Sequence, residues 1–468
     1  MIKIYDSHAH LNFEDYDKDR EEVIQRAFDT GITFIINIGS GMGIKGNYDA
    51  ISIANTHDNI YATVGLHPHE ASLFNQDMLQ EISRLADEPK VIAIGEVGLD
   101  YHYMHSPKEA QIKAFESFIE LARQKRLPLV IHTRDANKEA MHILKRLYAG
   151  DVSGVIHSYG GDMELAEEAL DLGFYLSING IVTFKNAQSL RDAIAQLPVD
   201  RLLIETDCPF LAPVPHRGKR NEPAYTSFVL KAISEIKHMD EEKLSEILLN
   251  NAKNAFGIGI PQTIVYTLDN KLYLNITNRC TNVCVFCPKF KNDYYVRDYQ
   301  LKLFKHEPSY EDVIGAIQKQ SGYEEVVFVG FGEPTQRLDL LISVSKWLKE
   351  HGVKRIRLDT DGLGNLVYGR DITAELGRYI DAVSVSLNAP DAKTYARLCH
   401  NPYQEEAYNA ILEFIRLAKL HFRDVTATMV ELPGIDINAT KAAADMLGVR
   451  FRVRAYYKGT LRHKREKE

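Results

Sequence analysis

The stretch IKIYDSHAH, residues 2–10, runs an apolar, β-branched segment straight into a His-x-His pair. Its first half predicts a strand, and strand alternation then puts the imidazoles of His8 and His10 on one side at the strand's C-terminal end. Two imidazoles so placed form half of a metal site, although two satisfied interior histidines would read the same way. The pattern recurs. Seven further runs, TFIINIG (33–39), YATVGLH (61–67), VIAIGEVG (91–98), PLVIHT (128–133), GVIHSY (154–159), FYLSIN (174–179) and RLLIETD (201–207), alternate with segments of helical periodicity. Eight strand–helix units in about 255 residues match the size of a (β/α)8 TIM barrel, whose active sites lie at the C-terminal strand ends. Histidines and acids fall at those ends here.

Glu96, His132, His157 and Asp207 occupy strand ends comparable to that of His8 and His10. Six such groups converging on one barrel mouth are costly to desolvate without a compensating ion. Nitrogen and oxygen donors without thiolate suit Mg, Mn or Zn, and a bridging carboxylate such as Glu96 allows two divalent metal ions. Asp207 is the candidate to orient or deprotonate a metal-bound water. His67 and His69 of GLHPHE are read as substrate contacts or loop structure, not ligands.

Length, composition and charge bound the rest. The chain has 468 residues, 45% apolar and 26% charged, which predicts two globular domains. A helical segment ends at EILLNNAKNAFGIGIPQ, so the expected domains are residues 1–258 and 259–468. The second half offers six runs, KLYLNITN, EVVFVGFGE, RIRLDTDG, AVSVSLNA, DVTATMVELPG and VRFRVRAYY, and predicts an open partial (β/α)6 barrel. No cationic leader precedes an apolar core and no apolar run nears bilayer length, so a cytoplasmic protein with no membrane partner is expected. The net charge of −8 is uneven: acids outnumber bases before residue 260, and bases outnumber acids beyond it. A polyanion bound by the first half needs a local basic patch or bound cations. The tail KGTLRHKREKE reads as a solvated basic terminus.

Three of the five cysteines crowd into C-x3-C-x2-C: Cys280, Cys284 and Cys287. Three thiolates can hold three irons of a 4Fe-4S cluster and leave the fourth open to a small chelating ligand. A structural zinc, with His306 or Cys399 as fourth ligand, is the alternative. Cys208 and Cys399 otherwise read as buried small apolar residues. Phe286 precedes the last cysteine of the motif. Gly330 and Gly332 of FVGFGEPT permit close backbone approach, and Glu333 offers an acceptor to a ligand amine.

In order, DSHAHLNF, GLHPH, IGEVGLDYH, VIHTRDA, HSYGG and IETDCPFLAP resemble the TatD family of metal-dependent hydrolases over about residues 1–257. The resemblance implies a Mg-dependent, often exonucleolytic deoxyribonuclease with ligands at His8, His10, Glu96, His132, His157 and Asp207. It also implies a phosphate-facing loop at Arg217, Lys219, Arg220 and Asn221, and DNA ends as substrate. The cysteine motif with GFGEP resembles the radical S-adenosylmethionine superfamily over about 270–455, with Phe331 replacing the usual middle glycine. That likeness implies a 4Fe-4S cluster, S-adenosylmethionine and an external electron donor. By the same analogy, Asp359, Gly362, Ser386 and Asn388 lie on the cofactor's ribose and carboxylate side. The fusion looks like the TatD-associated radical SAM proteins, a group that does not supply the radical substrate. The expectation is a bifunctional enzyme. Alternatives are an amide or ester hydrolase in the first domain, and a sensing or docking module around a structural cluster in the second.

Overall fold

The computed structural model describes residues 2–147, 152–291 and 294–456; the basic tail lies outside the described residues. The chain divides into two compact units, Met1–Ile260 and Pro261–Glu468. Among the described residues no helix is long and apolar enough to cross a membrane.

In the first unit the eight apolar runs become eight strands: β1 (Ile4–Ala9), β2 (Ile32–Asn37), β3 (Ile60–Val64), β4 (Val91–Asp100), β5 (Leu129–Arg134), β6 (Gly154–Ile156), β7 (Tyr175–Ile178) and β8 (Leu202–Ile204). They pair in sequence order, and the printed ladders are all parallel. Ile35, Ile94, Ile131 and Leu203 are buried, as expected of strands covered on both faces. The ring is closed just beyond β8, where Asp207 N–H donates to the His8 carbonyl (2.9 Å) and His10 N–H to the Cys208 carbonyl (2.9 Å). Deeper, Asp6 accepts from His8 N–H (3.1 Å), Thr206 N–H (2.9 Å) and the Thr206 hydroxyl.

β4 departs from regular pairing. Gly95 lies opposite Val130 and Val97 opposite Ile131, so Glu96 is an extra residue, a bulge that re-aims its side chain. A Cβ at Gly98 (φ +146°) would run into the His132 carbonyl, so this close approach of β5 demands glycine.

The second unit is a seven-stranded mixed sheet. After β9 (Val265–Leu268) come β10 (Lys271–Leu274), β11 (Glu325–Phe328), β12 (Ile356–Thr360), β13 (Ala382–Ser386), β14 (Asp424–Val430) and β15 (Arg450–Arg454). The last six, one from each predicted run, pair in parallel from β10 to β15. The seventh, β9, was not foreseen: it pairs antiparallel with β10 across Asp269-Asn270, both at positive φ (48° and 59°). Such a two-residue primed turn matches strand twist. Val383, Val385, Val425 and Ala427 bury one face of the sheet in the core. The residues between them line the opposite, concave face.

Candidate active sites

At the mouth of the first barrel, β1, β4 and β5 and the segments after β6 and β8 bring together all six sequence-predicted donors. The Nε2 atoms of His8 and His10 face each other at 3.3 Å. Glu96 Oε2 lies 3.4 and 3.9 Å from them, and Asp207 Oδ1 3.7 and 3.5 Å. The other Glu96 oxygen, Oε1, meets His132 Nδ1 at 2.8 Å, His157 Nε2 at 3.0 Å and His67 Nε2 at 3.5 Å. Glu96 thus divides the site into two lobes. Three donor groups fit a cation: His8, His10 and Asp207; His8, Glu96 and His157; and His67, Glu96 and His132.

The electrostatics fit divalent cations. Burial opposes charge on Glu96, but His157, His67 and His8 and the bond from His132 outweigh it and hold the carboxyl well below its usual range. Burial likewise opposes the Asp207 carboxylate, and His10, His157 and His8 reverse the balance downward. Burial pushes His8 down and His67 down to about 4, favouring their neutral, metal-binding forms. Burial resists protonation of His157, but Glu96 and Glu205 prevail and raise it. Imidazole nitrogens facing one another beside ionised carboxylates form a donor set that a cation satisfies better than protons do.

Two buried acids that sequence reasoning did not single out stand behind the donors. Glu205 Oε1 accepts from His157 Nδ1–H (3.2 Å) and Ser158 N–H (2.7 Å), which turns His157 Nε2 toward Glu96. Asp100 Oδ2 accepts from His69 (2.8 Å) and His132 (3.2 Å). Asp100 was legible, because alternation along β4 places it on the side of Glu96. His67, read as a substrate contact and not a ligand, lies within reach of the same cation position as Glu96 and His132. The cavity above, about 800 Å³, is lined by His10, Glu96, His132, His157 and Asp207 and by Phe13, Tyr103 and Phe210.

The basic loop is placed differently from expectation. Arg220 is turned back to form a two-point pair with Asp19 (2.8 and 2.6 Å) and to donate to the Asp15 carbonyl. Arg217 lies over the Phe184 ring at 3.8 Å, and Asn221 Nδ2 donates to the carbonyls of Thr206 and Phe210. Neither these residues nor Lys219 lines the cavity. Asp19 thus takes up Arg220, and the Phe184 ring takes up Arg217.

In the second unit, Val283–Cys284 pairs antiparallel with Cys399–His400, setting Cys284 opposite Cys399. Cys280, Cys284 and Cys287 are free and partly accessible; Cys399 is free and buried. A hydrogen bond with Cys399 and burial push the Cys284 thiol up, burial pushes Cys280 up, and the nearby Lys289 ammonium opposes both. Thiols held this way, with Asp361 and Glu333 at their backs, ionise only against a cationic partner, and three soft donors suit an iron–sulfur cluster. His306 is exposed, and Phe286 is packed in the core.

Gly332 abuts the segment leading to Cys280: a Cβ there would strike the Thr277 carbonyl and lie 2.7 Å from both the Arg279 carbonyl and Asn278 Cα. A Cβ at Gly330 would meet Asn275 Oδ1 at 2.5 Å. The close approach is therefore to the chain itself. The Glu333 carboxylate, expected to face a ligand amine, is instead saturated from within by Asp361 N–H (2.6 Å), Thr335 N–H (3.0 Å) and the hydroxyls of Thr335 and Thr360 (2.8 Å each). A buried carboxylate collects donors; burial still pushes the Glu333 carboxyl up, and burial with the Glu333 charge beside it pushes Asp361 up. Asp361, rather than Asp359, joins the cysteine loop, accepting from Asn282 Nδ2 at 3.2 Å. Asp359 Oδ1 lies 3.1 Å from Arg357 Nε, and Ser386 Oγ lies 3.2 Å from Arg454. Asn388 is buried, with Nδ2 4.0 Å from Cys399 Sγ.

Residues 5–257 match the family model described as TatD related DNase, more than half of the chain. The chain belongs to the TatD-related DNase family. Residues 274–447 match the radical SAM superfamily, so this TatD protein also carries a radical SAM domain. Its TatD part is 44% identical over 255 residues to the metal-dependent hydrolase YabD of Bacillus subtilis, covering 54% of this chain and 99% of YabD. It is 31% identical over 262 residues to the 3'-5' ssDNA/RNA exonuclease TatD of Enterobacter lignolyticus, covering 55% of this chain and all of that protein. Among solved structures, the TatD homologue YJJV of Escherichia coli superposes with a TM-score of 0.51 at 29% identity, covering 55% of this chain and 98% of YJJV. The TatD unit is thus a metal-dependent hydrolase by family, followed by a radical SAM domain.

Proposed function

We propose that the TatD unit hydrolyses phosphodiester bonds, acting on DNA ends as an exonuclease, and that the second unit performs radical chemistry on a separate substrate. The observation that carries the first half is the division of labour at Glu96, one oxygen toward each lobe of imidazoles. In this reading His8, His10 and Asp207 would hold one divalent ion and His132 and His157 the other, with Glu96 offering an oxygen to each lobe. His67 stands beside the second. Bound there, the ions would supply Lewis acidity and lower the pKa of coordinated water. Asp207, beside His8 and His10, would orient the attacking water and accept its proton. Phe13, Tyr103 and Phe210 offer ring faces on which bases of a single strand can stack.

Cys280, Cys284 and Cys287 hold a 4Fe-4S cluster in this reading, which when reduced would supply the electron for cleaving S-adenosylmethionine. Gly330 and Gly332 set the loop, Glu333 and Asp361 fix its back, and Ser386, Asn388 and Asp359 line the cofactor side. The electron donor is external.

Two assays test this. Purified protein should degrade a 3'-labelled single-stranded oligonucleotide with Mg or Mn, and His132→Ala with His157→Ala should abolish it. Undiminished hydrolysis in that variant, or a preference for carboxylic esters or amides over oligonucleotides, sinks the first half. Anaerobic reconstitution with dithionite and S-adenosylmethionine should yield 5'-deoxyadenosine, lost in Cys284→Ala. An intact cluster without that product, even with candidate substrates present, leaves a structural or sensing role.

A further inference from the structure

The concave face of the second sheet carries two arginines, Arg452 and Arg454, that neither unit's proposed chemistry uses. Three carboxylates on its strands are matched by cations. Glu325 lies 3.1 Å from Lys271, 2.9 Å from Arg355 and 3.9 Å from Arg357. Asp424 lies 2.8 Å from Arg355 and 2.7 Å from Arg450, and Asp359 pairs with Arg357. Beyond Arg450, β15 continues F-R-V-R, and among the described residues neither Arg452 nor Arg454 has an ion-pair partner.

Alternation puts Arg450, Arg452 and Arg454 on one side of β15, and Phe451 on the other packs against the core. The register sets Arg452 opposite Thr428, itself opposite Ser386. The side of β15 bearing the arginines is therefore the concave one. Arg454 reaches across β14 to Ser386 Oγ (3.2 Å), so its side chain lies over the concave face. Two residues beyond Ser386, Asn388 Nδ2 lies 4.0 Å from Cys399 Sγ, and Cys399 faces Cys284, so Arg454 stands on the cysteine side of this face. Arg452 is exposed and, among the described residues, has no ion-pair partner; Arg454 has only the serine hydroxyl.

Two guanidiniums with no ion-pair partner among the described residues, one of them 3.2 Å from the Ser386 hydroxyl, together carry a charge of about +2. A carboxylate would neutralise half of that; a phosphate monoester, about −1.5 to −2 at neutral pH, matches it, and guanidinium forks suit its oxygens. We propose that the second unit binds a substrate bearing a phosphate monoester, held by Arg452 and Arg454 on the cysteine side of the concave face. The inference rests on reading that unit as the radical domain. It also suggests an order, because hydrolysis of a phosphodiester leaves one product with a phosphate monoester.

The test uses the full chain with its cluster reconstituted, and calorimetry with thymidine 5'-monophosphate. The nucleotide should bind, thymidine should not, and inorganic phosphate should compete. Arg452→Gln, an exposed residue whose loss cannot unfold the sheet, should weaken binding by roughly tenfold, and Arg452→Gln with Arg454→Gln by more. Oligonucleotide hydrolysis, read in the same samples, should be unchanged, so failure of the hydrolase reading and failure of this one are separable. Unaltered nucleotide affinity in the double variant overturns the proposal. So does loss of S-adenosylmethionine binding with nucleotide binding intact, which would give the arginines to the cofactor's carboxylate.

Discussion

Replacing Glu205 tests how the first site is built without touching a proposed ligand. Its Oε1 accepts from both the His157 imidazole and the Ser158 N–H, at 3.2 and 2.7 Å, in a fully buried position. Glu205→Gln keeps an acceptor oxygen in place but removes its charge. Charge-assisted bonds are about twice as strong as neutral ones, so each of the two loses about 1 kcal/mol. If both bonds serve to hold His157 for a cation, the total of about 2 kcal/mol corresponds to roughly thirtyfold weaker metal binding. Glu205→Leu removes both acceptors, leaves two buried donors unpaired and also lowers the stability of the first unit by about 2 to 5 kcal/mol. The assay is calorimetric titration of chelator-treated protein with Mn, paired with oligonucleotide hydrolysis at limiting and saturating metal. For Glu205→Gln the deficit should shrink at saturating metal. Wild-type Mn affinity in both variants would refute the reasoning that this carboxylate aims a ligand.

Other consequences are testable separately. Gly332→Ala places a methyl against three backbone atoms and should destabilise the second unit by about 1 to 3 kcal/mol, whereas Gly315→Ala, in a helix with open space around it, should stabilise it by about 0.5 to 1 kcal/mol; chemical denaturation resolves the two. Removing divalent cations should lower the first unit's melting temperature by about 5 to 10 °C if sites normally sit near 100 times their dissociation constant, with the second unit's transition unmoved. Burial alone would raise the Glu325 carboxyl, but Arg357, Arg355 and Lys271 hold it below its ordinary value. A depressed carboxyl stabilises the fold above its unfolded pKa of about 4.3 and loses that contribution as pH falls through the folded value. Glu325→Gln should therefore flatten the acid limb of second-unit stability below about pH 4.5, and an unchanged acid limb would contradict the assignment.

Much of the architecture could be read before folding, for a physical reason. Parallel strands covered on both faces are continuous apolar runs, and in a barrel the polar residues that interrupt them gather at one end, so His8, His132 and Asp207 announced both strand and site. What escaped depends on long-range or sub-residue geometry. The bulge that aims Glu96 is a register event between β4 and β5 with no compositional trace. The capture of Arg220 by Asp19 joins positions 201 residues apart, and nothing local to HRGKR signals it. The saturation of Glu333 from β12 was hidden in the same way. Strand β9 did leave a signal in Asp269-Asn270, but an edge strand with one covered face shows only weak periodicity.

The backbone bonds that close the first ring, from Asp207 to His8 and from His10 to Cys208, also set when the site can exist. The first two histidines leave the ribosome some two hundred residues before the aspartate that completes their lobe. A nascent chain halted before residue 207 therefore has imidazoles but no enclosure for them, and it should hold cations no better than a short histidine peptide. Metal retention on stalled chains of increasing length would rise in one step as the eighth strand emerges. The ion would then distinguish chains carried through the first unit from those cut short within it, and only the former would hydrolyse.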